Sequence, residues 1–391
     1  MHSTTDAIFW RKFNAMIERR SELKCESFSM YADPEWLGDD EWERLPLFPH
    51  LPPCPSVLMN ADASFFADPF LTELALSKPL QRLRDIGFLG ALDYIKVSNG
   101  SDAHRRRHNR FDHSLGVADL ALLYADIRGL TRNDTRVLAA AGLLHDIGHG
   151  PLSHTLEPIF KSNFGVNHHE AGLSIMYGKT SLGDEIPSIM AAYGVDLDEV
   201  LAMIEGKHEG EHSFLFSSPI NLDTIEGISR SRMFAAKATR PFNPKRLVAM
   251  IAASDEWPAK AADDFWRLKD DVYNLIIHHP DGLLYDGLAQ AYMSHEIDRF
   301  RPEWFQFTEE RLRDREPTLF HIFAWARSSK RRAYRRISEI SPKLFEFEVK
   351  APMRKFDVME KVQVRGPVDL LARYVQRKSS RGVAIEHLVG S

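Results

Sequence analysis

The most constraining feature of this 391-residue chain is a concentration of histidines in one short stretch. Eight of the 17 histidines lie between His104 and His169, which is a small part of the whole chain. There, an apolar run passes directly into polar residues, in the sequence GLLHDIGHGPLSH at 142–154, so that His145 and Asp146 follow a segment suited to burial. A fold for this chain must therefore bring a buried helix end together with several imidazoles.

The apolar pattern between about 68 and 290 predicts a mainly α-helical body. Stretches such as 119–127 and 137–147 are apolar on nearly every face, which is typical of helices buried in a core. Before the body, five prolines between 46 and 55 exclude a continuous helix. After it, alternation at 344–349 predicts a strand. We predict three parts: an N-terminal extension and connector at 1–64, a helical domain at 65–300, and a smaller α+β appendage at 301–391.

An adjacent histidine and aspartate at the end of a buried helix are typical ligands of a divalent cation. His145 offers an imidazole nitrogen, and Asp146 offers a carboxylate whose charge offsets that of the metal. Such a pair alone is more often structural, either capping a helix or joined by a hydrogen bond. Here a further histidine, His113, precedes the pair, and a further aspartate, Asp223, follows it much later in the chain.

The order and spacing of these residues resemble the HD superfamily of metal-dependent phosphohydrolases. The stretch from LQRLR at 80–84, through HSLGV at 113–117, to His154 is similar to the deoxynucleoside triphosphate (dNTP) triphosphohydrolases. The resemblance covers about residues 65–300. It implies a helical HD-domain bundle, cleavage of a dNTP to deoxynucleoside and triphosphate, and four metal ligands: His113, His145, Asp146 and Asp223.

The same resemblance implies further site residues. His149 is expected to contact the phosphate. His169, oriented by Glu157 and followed by Glu170, is expected to give a proton to the leaving oxygen. The structural alternatives are a helix-capping His149, a surface His154 and a solvated Glu157. The substrate contacts implied by the resemblance are Arg110, His154, Arg230 and Tyr273.

Near the last metal ligand the sequence departs from the triphosphohydrolase pattern. Where that pattern has a lysine, a tyrosine and an aspartate that contact the phosphates and the sugar, this chain has Thr224, Gly227 and Ser231. The glutamine that reads the sugar hydroxyl is Phe88 here. Because a site built to hydrogen-bond a hydroxyl discriminates strongly, these changes predict altered substrate choice with retained metal chemistry. A different nucleotide or a phosphorylated metabolite is therefore the alternative substrate.

Composition sets the remaining expectations. The chain has no apolar run long enough to span a bilayer, and the N-terminal residues lack a signal-peptide pattern, so a cytoplasmic protein is expected. Cys25 and Cys54 are too few for a disulfide framework or a cysteine metal site. The net charge of −5 argues against a surface built to hold nucleic acid. The resemblance implies a homo-oligomer with one divalent ion per chain, drawn from Mn, Fe, Zn, Co, Ni and Mg.

Three other classes of function stay open. Residues 208–212 read His-Glu-Gly-Glu-His, which matches the zinc metallopeptidase motif, although Gly210 weakens the helix that the motif requires. The basic runs at 105–107 and 330–336 suit a module that binds nucleotides or nucleic acid, although charge runs are more often solvated faces. A third class binds two irons and performs oxygenation, with His149 and His169 as added ligands.

Overall fold

The computed structural model describes residues 68–95, 108–232, 242–254, 258–277 and 279–328. Within these ranges the chain forms α-helices, short 3-10 segments and one π-helical turn, with no strand. The prediction of a mainly α-helical fold is thus confirmed. The strand predicted at 344–349, the N-terminal extension and both basic runs lie outside the described residues. None of the described helices is long and apolar enough to cross a membrane.

The helices are numbered here in chain order. Their bounds are α1 Pro69–Leu76, α2 Lys78–Arg82, α3 Arg110–Arg128, α4 Arg132–Leu144, α5 Glu157–Phe164, α6 His168–Met176, α7 Glu185–Tyr193, α8 Leu197–Ile204, α9 Phe214–Ser217, α10 Leu222–Arg232, α11 Pro244–Ala253, α12 Ala259–Val272, α13 Pro280–His295, α14 Glu309–Arg315 and α15 Pro317–Ser328. The π-helical turn at 273–277 continues directly from α12.

Helices α3 and α4 form the centre of the body and pack along each other. Local sequence sets their ends: Asn109 Oδ1 accepts a hydrogen bond from the Asp112 N–H at 2.7 Å and so caps α3. Gly129 ends α3 with a φ of 64°, and the Thr131 side chain caps α4. The helices predicted around 119–127 and 137–147 are therefore present, but α4 ends at Leu144 and the chain leaves the helix at His145.

Two clusters of buried apolar side chains meet beside the histidine-rich segment. The first surrounds α3 and α4 and includes Ile147, whereas the second surrounds α13 and α15 and includes Leu152. The helices after residue 300 join this body, because Glu309 accepts hydrogen bonds from the Gly87 N–H and the Tyr94 hydroxyl, each at 2.6 Å. The chain from 147 to 152 thus crosses from one core to the other. The division into three domains stays a prediction.

Candidate metal centre

The His145-Asp146 pair lies in a tight turn that directly follows α4. The turn is fixed by Arg82, a buried side chain that donates a hydrogen bond from Nη2 to the Ile147 carbonyl at 2.7 Å. Gly148 lies against the start of α6, where a Cβ atom would stand only 1.9 Å from the carbonyl oxygen of His168. Only glycine fits this approach, which brings the histidines of α6 close to the turn.

The four side chains expected to bind metal lie together at this turn. Nε2 of His113 lies 3.1 Å from Nε2 of His145 and 3.1 Å from Oδ1 of Asp223. Oδ1 of Asp223 lies 3.7 Å from Nε2 of His145. The Asp146 carboxylate lies 3.5 Å from Nε2 of His113 and 3.6 Å from Nε2 of His145. Ligand atoms around a zinc-sized ion lie about 3.3 Å apart, given bonds of about 2.0 Å, so the spacing of His113, His145 and Asp146 suits one ion, and Asp223 lies against both imidazoles.

Hydrogen bonds on the outer ring nitrogens aim both imidazoles at the same point. Nδ1 of His113 lies 2.5 Å from Oε2 of Glu226, and Nδ1 of His145 lies 2.8 Å from the Gly142 carbonyl. Each acceptor holds the proton on Nδ1 and leaves the Nε2 lone pair facing inward, as metal-binding histidines require. Sequence analysis did not single out Glu226. It lies three residues after Asp223 on α10, so its helical spacing was the available signal.

The charges around these imidazoles favour a cation. Burial opposes charge on His145, but the carboxylates of Asp146 and Asp223 outweigh it and raise its pKa to about 9. Burial likewise opposes charge on His113, yet the neighbouring carboxylates, Glu226 first, raise its pKa. Burial would raise the pKa of Asp146, but the charges of His145 and Arg110 hold it well below its ordinary value. The donor set, its spacing and its charge thus fit a divalent metal ion.

Arg110, expected to contact phosphate, is buried beside Asp146. Its Nη1 donates a hydrogen bond to Oδ2 of Asp146 at 2.6 Å, and its Nε donates to Oγ of Ser153 at 3.0 Å. Ser153 and the preceding Leu152 have positive φ angles, a conformation that costs free energy in residues other than glycine. The guanidinium therefore fixes the orientation of Asp146. Its contact with phosphate stays a prediction.

A second group of imidazoles surrounds Glu157, and here one expectation needs correction. Glu157 was expected to orient His169, but its oxygens lie 3.0 Å from Nδ1 of His154 and 2.9 Å from Nδ1 of His168. His169 is exposed. The chain begins α6 at His168 because Asn167 and Glu170 cap it reciprocally, so the helix turns His168 rather than His169 toward Glu157. The observed contacts of Glu170 are those of this cap, and catalytic roles for His169 and Glu170 stay predictions.

His149 lies between the metal centre and the group around Glu157. Its ring stacks on that of His168, with centroids 4.3 Å apart and an interplanar angle of 9°. Its Nε2 lies 3.2 Å from Oδ1 of Asp146, outside hydrogen-bond geometry. Burial, followed by the charge of Arg110, holds its pKa well below the ordinary value, so this imidazole is neutral. Burial also lowers the pKa of His154, to about 4.

The other expected substrate contacts line or approach the metal centre. Arg230 donates hydrogen bonds to Glu226 and, at 2.8 Å, to the carbonyl of Asp112. Tyr273 begins the π-helical turn after α12. Burial, with a contribution from the charge of Asp223, raises the pKa of Tyr273 to about 12. Arg230 is thus joined to the centre through Glu226, and Tyr273 lies close enough to Asp223 for its charge to act, but substrate binding by these residues stays a prediction.

Three departures from the family pattern have a structural explanation. Phe88 packs on His113 with ring centroids 4.8 Å apart, and a Cβ at Gly227 would meet its ring at 3.5 Å. The phenylalanine therefore fills the space beside the missing side chain at 227. Thr224 exchanges hydrogen bonds with Asn221 at the start of α10, at 2.7 and 3.0 Å, so it serves as a helix cap. Ser231 is buried, and its contacts give no account of the change at that position.

The peptidase-like segment does not form a zinc site. His212 Nδ1 lies 3.1 Å from the hydroxyl of Tyr124, whereas Nδ1 of His208 accepts a hydrogen bond from the Gly210 N–H at 2.9 Å. The segment lies in turns before α9 rather than in a helix. The two histidines therefore do not share the helical face that the peptidase motif needs.

Part of the chain is similar to known proteins. Residues 110–254 match the family model of the HD domain. The Bacillus subtilis protein YwfO is 26% identical over 224 residues, which cover 54% of this chain and 49% of that protein. The deoxynucleoside triphosphate triphosphohydrolase SAMHD1 of Gallus gallus is 32% identical over 148 residues, which cover 35% of this chain and 23% of that protein. The chain thus spans half or less of the length of these relatives.

The fold is similar to that of a solved protein structure. A protein from Aquifex aeolicus matches with a TM-score of 0.51 and 21% sequence identity, covering 71% of this chain and 74% of its own. At this identity the likeness concerns the fold alone. It extends over more of the chain than the HD-domain match, which agrees with the hydrogen bonds that join Glu309 of α14 to Gly87 and Tyr94.

Proposed function

We propose that this chain, whose residues 110–254 form an HD domain, hydrolyses phosphate esters with one divalent metal ion held by four side chains: His113, His145, Asp146 and Asp223. The observation that carries the proposal is the 3.1 Å approach of Nε2 of His113 to Nε2 of His145. Two inward lone pairs repel each other at this distance unless a proton or a metal ion lies between them. Because each Nδ1 already donates a hydrogen bond of its own, a divalent ion takes the place of the proton that lies between the two Nε2 atoms in the metal-free centre.

The residues around the metal ligands suit phosphoryl chemistry. A divalent ion held there polarises a phosphoryl group and activates a water molecule. Arg110 brings a positive charge to the edge of the centre, where phosphate oxygens carry negative charge. With Nδ1 facing Glu157, His154 and His168 each present Nε2 as the atom that takes up or gives a proton. Either ring can thus serve the leaving oxygen of an ester.

The substrate we propose is a nucleotide, with a dNTP as the leading candidate. This rests on the likeness to a deoxynucleoside triphosphate triphosphohydrolase and on the four metal ligands that the family resemblance implies. Phe88, Gly227 and Ser231 replace side chains expected to read the sugar, so the chain need not share its relatives' preference for deoxyribose. The resemblance also favours a homo-oligomer, which light scattering on the purified protein can test.

A panel of nucleotides tests the proposal. Purified protein loaded with manganese is incubated with ribonucleoside and deoxyribonucleoside mono-, di- and triphosphates, and ion-exchange chromatography separates orthophosphate, pyrophosphate and triphosphate. We expect at least one nucleotide to be hydrolysed, with triphosphate released from a dNTP. Asp146→Ala should abolish the reaction, whereas Asp126→Ala, on the exposed face of α3, should not. Absence of hydrolysis across the whole panel would exclude the proposed function.

A further inference from the structure

Besides the metal centre, a second group of side chains has a metal-ligand composition. His149, His154, Glu157 and His168 each offer one ligand atom, and these atoms all lie within 4.8 Å of one another. Three imidazoles and one carboxylate make the N₃O donor set that borderline divalent cations such as zinc prefer. None of these four side chains belongs to the first centre.

His149 is the member whose environment points most directly to a ligand. Its side chain is 1% exposed, and among the described residues neither ring nitrogen has a hydrogen-bond partner. A buried polar group without a partner lowers stability, so such groups are rare unless they serve a ligand. The ring faces the rings of both His154 and His168, with centroids 4.6 and 4.3 Å away.

We propose that these four residues form a second cation site, selective for zinc-like ions and separate from the first centre. The ion takes the place of the protons that Nδ1 of His154 and Nδ1 of His168 share with the Glu157 carboxylate, and in each neutral ring that proton moves to Nε2, which leaves the Nδ1 lone pair free to bind the ion. The two nitrogen-to-oxygen distances are already 3.0 and 2.9 Å. Tetrahedral zinc ligands lie about 3.3 Å apart, so no separation in the group needs to shrink by more than roughly 1.5 Å for the four atoms to bind one ion.

The local charge permits a second ion. Glu157 brings one negative charge into the group, and the nearest guanidinium, that of Arg110, is already paired with Asp146 at 2.6 Å. Oδ1 of the same aspartate lies 3.2 Å from Nε2 of His149, so a carboxylate stands on the side of the group that faces the first centre. The Glu157 carboxylate is thus the charge that holds the ion, against the guanidinium of Arg110, whose charge helps to lower the pKa of His149 after the larger effect of burial.

Occupancy of the second site has a consequence for turnover, which rests on the proposed function. With the ion on Nδ1 and the proton on Nε2, neither imidazole can take up the further proton that it would give to the leaving oxygen, whereas the four ligands of the first centre stay unchanged. Zinc beyond one equivalent therefore inhibits hydrolysis supported by the first ion. Manganese, which prefers oxygen ligands more than zinc does, inhibits less.

Zinc stoichiometry tests the site without reference to activity. The full-length metal-free protein is titrated with zinc by calorimetry and, after desalting, its zinc content is measured by mass spectrometry. We expect two zinc ions per chain in the wild type and one in both Glu157→Gln and His168→Ala. His208→Ala, which removes a histidine near Glu199 and remote from both groups, should still bind two.

The outcomes separate the two proposals. A wild-type chain that saturates with one zinc ion, or a Glu157→Gln chain that still binds two, overturns the second site. X-ray absorption at the zinc edge of the wild type gives a further check that does not depend on the folding of a variant. Two histidines bind the ion in the first centre, and three bind it in the second site. Filling the second site must therefore raise the number of histidines bound per zinc ion from two to an average of about 2.5. A wild type with two zinc ions but no hydrolysis under manganese upholds the site and overturns the proposed function.

Discussion

Oε2 of Glu226, on α10, lies 2.5 Å from Nδ1 of His113, on α3, and the same carboxylate accepts hydrogen bonds from Arg230. The contact joins His113, a proposed metal ligand, to a carboxylate that is paired with the arginine four positions later. Because this contact fixes the tautomer and the direction of the His113 ring, we infer that Glu226 positions a metal ligand without itself binding the ion.

Replacing Glu226 tests this positioning role. Glu226→Gln keeps the shape of the side chain but removes the charge that supports the His113 ring, so we expect metal affinity to fall about 10–100-fold. Calorimetry with manganese measures the affinity. Glu211→Gln, at an exposed pair with Arg128, is the matched control and should leave the affinity unchanged. Equal affinities in Glu226→Gln and wild type would refute the role.

Gly116 provides an independent way to disturb the same carboxylate. A Cβ at this position on α3 would lie 2.5 Å from Oε1 of Glu226, so Gly116→Ala must displace the side chain. We expect its effect on metal affinity to approach that of Glu226→Ala. In a double-mutant cycle, Gly116→Ala should cost little further affinity once Glu226 is alanine. Additive losses would show that Gly116 acts through some other contact.

Protons should compete with the metal at the centre. The pKa of His145 is raised to about 9 by Asp146 and Asp223 against the effect of burial, so this ring is protonated at neutral pH before metal binds. Metal binding must release that proton. The metal affinity should therefore rise about tenfold per pH unit for each proton released, and it should level off at the pH at which the ring is already neutral. Calorimetry in buffers of different ionisation enthalpy counts the protons. Metal binding at pH 7 without proton release would contradict the assigned charges.

The two neighbouring histidines at the start of α6 should differ in their effect on turnover. His168 contacts Glu157, whereas His169 is exposed. We expect His168→Ala to lower kcat about 10²–10⁴-fold, the range for removal of a general acid or base, and His169→Ala to change it little. Steady-state rates on the best nucleotide decide between them. The reverse order would restore the assignment expected from the family resemblance.

Phe88 and Gly227 should be coupled in stability. A tyrosine at 227 would enter the space of the Phe88 ring, so Gly227→Tyr alone should destabilise the fold by about 1–3 kcal/mol. Phe88→Ala alone leaves a cavity and should cost about 3–5 kcal/mol. The double variant should lose less free energy of unfolding than the sum of the losses in the two single variants, and chemical denaturation measures all three. Simple additivity would show that the two positions do not share one space.

The sequence predicted the local parts of the site better than the parts that depend on packing. His145 and Asp146 follow an apolar helix, so the sequence pattern alone predicted that they lie at the end of a buried helix. Asp223 needed a family resemblance, because nothing local places it near the turn. Glu226 was missed because its role depends on α10 packing beside α3. The partner of Glu157 was misassigned because the Asn167 cap, which decides where α6 begins, was not considered.

We propose that one metal ion, held by His113, His145, Asp146 and Asp223, supports phosphate-ester hydrolysis. The most direct measurement titrates metal-free protein with manganese and follows nucleotide hydrolysis at each step. We predict that activity rises from zero, reaches its maximum at one ion per chain, and is absent throughout in Asp146→Ala. Hydrolysis that persists in the metal-free protein, or that Asp146→Ala retains, would contradict the claim.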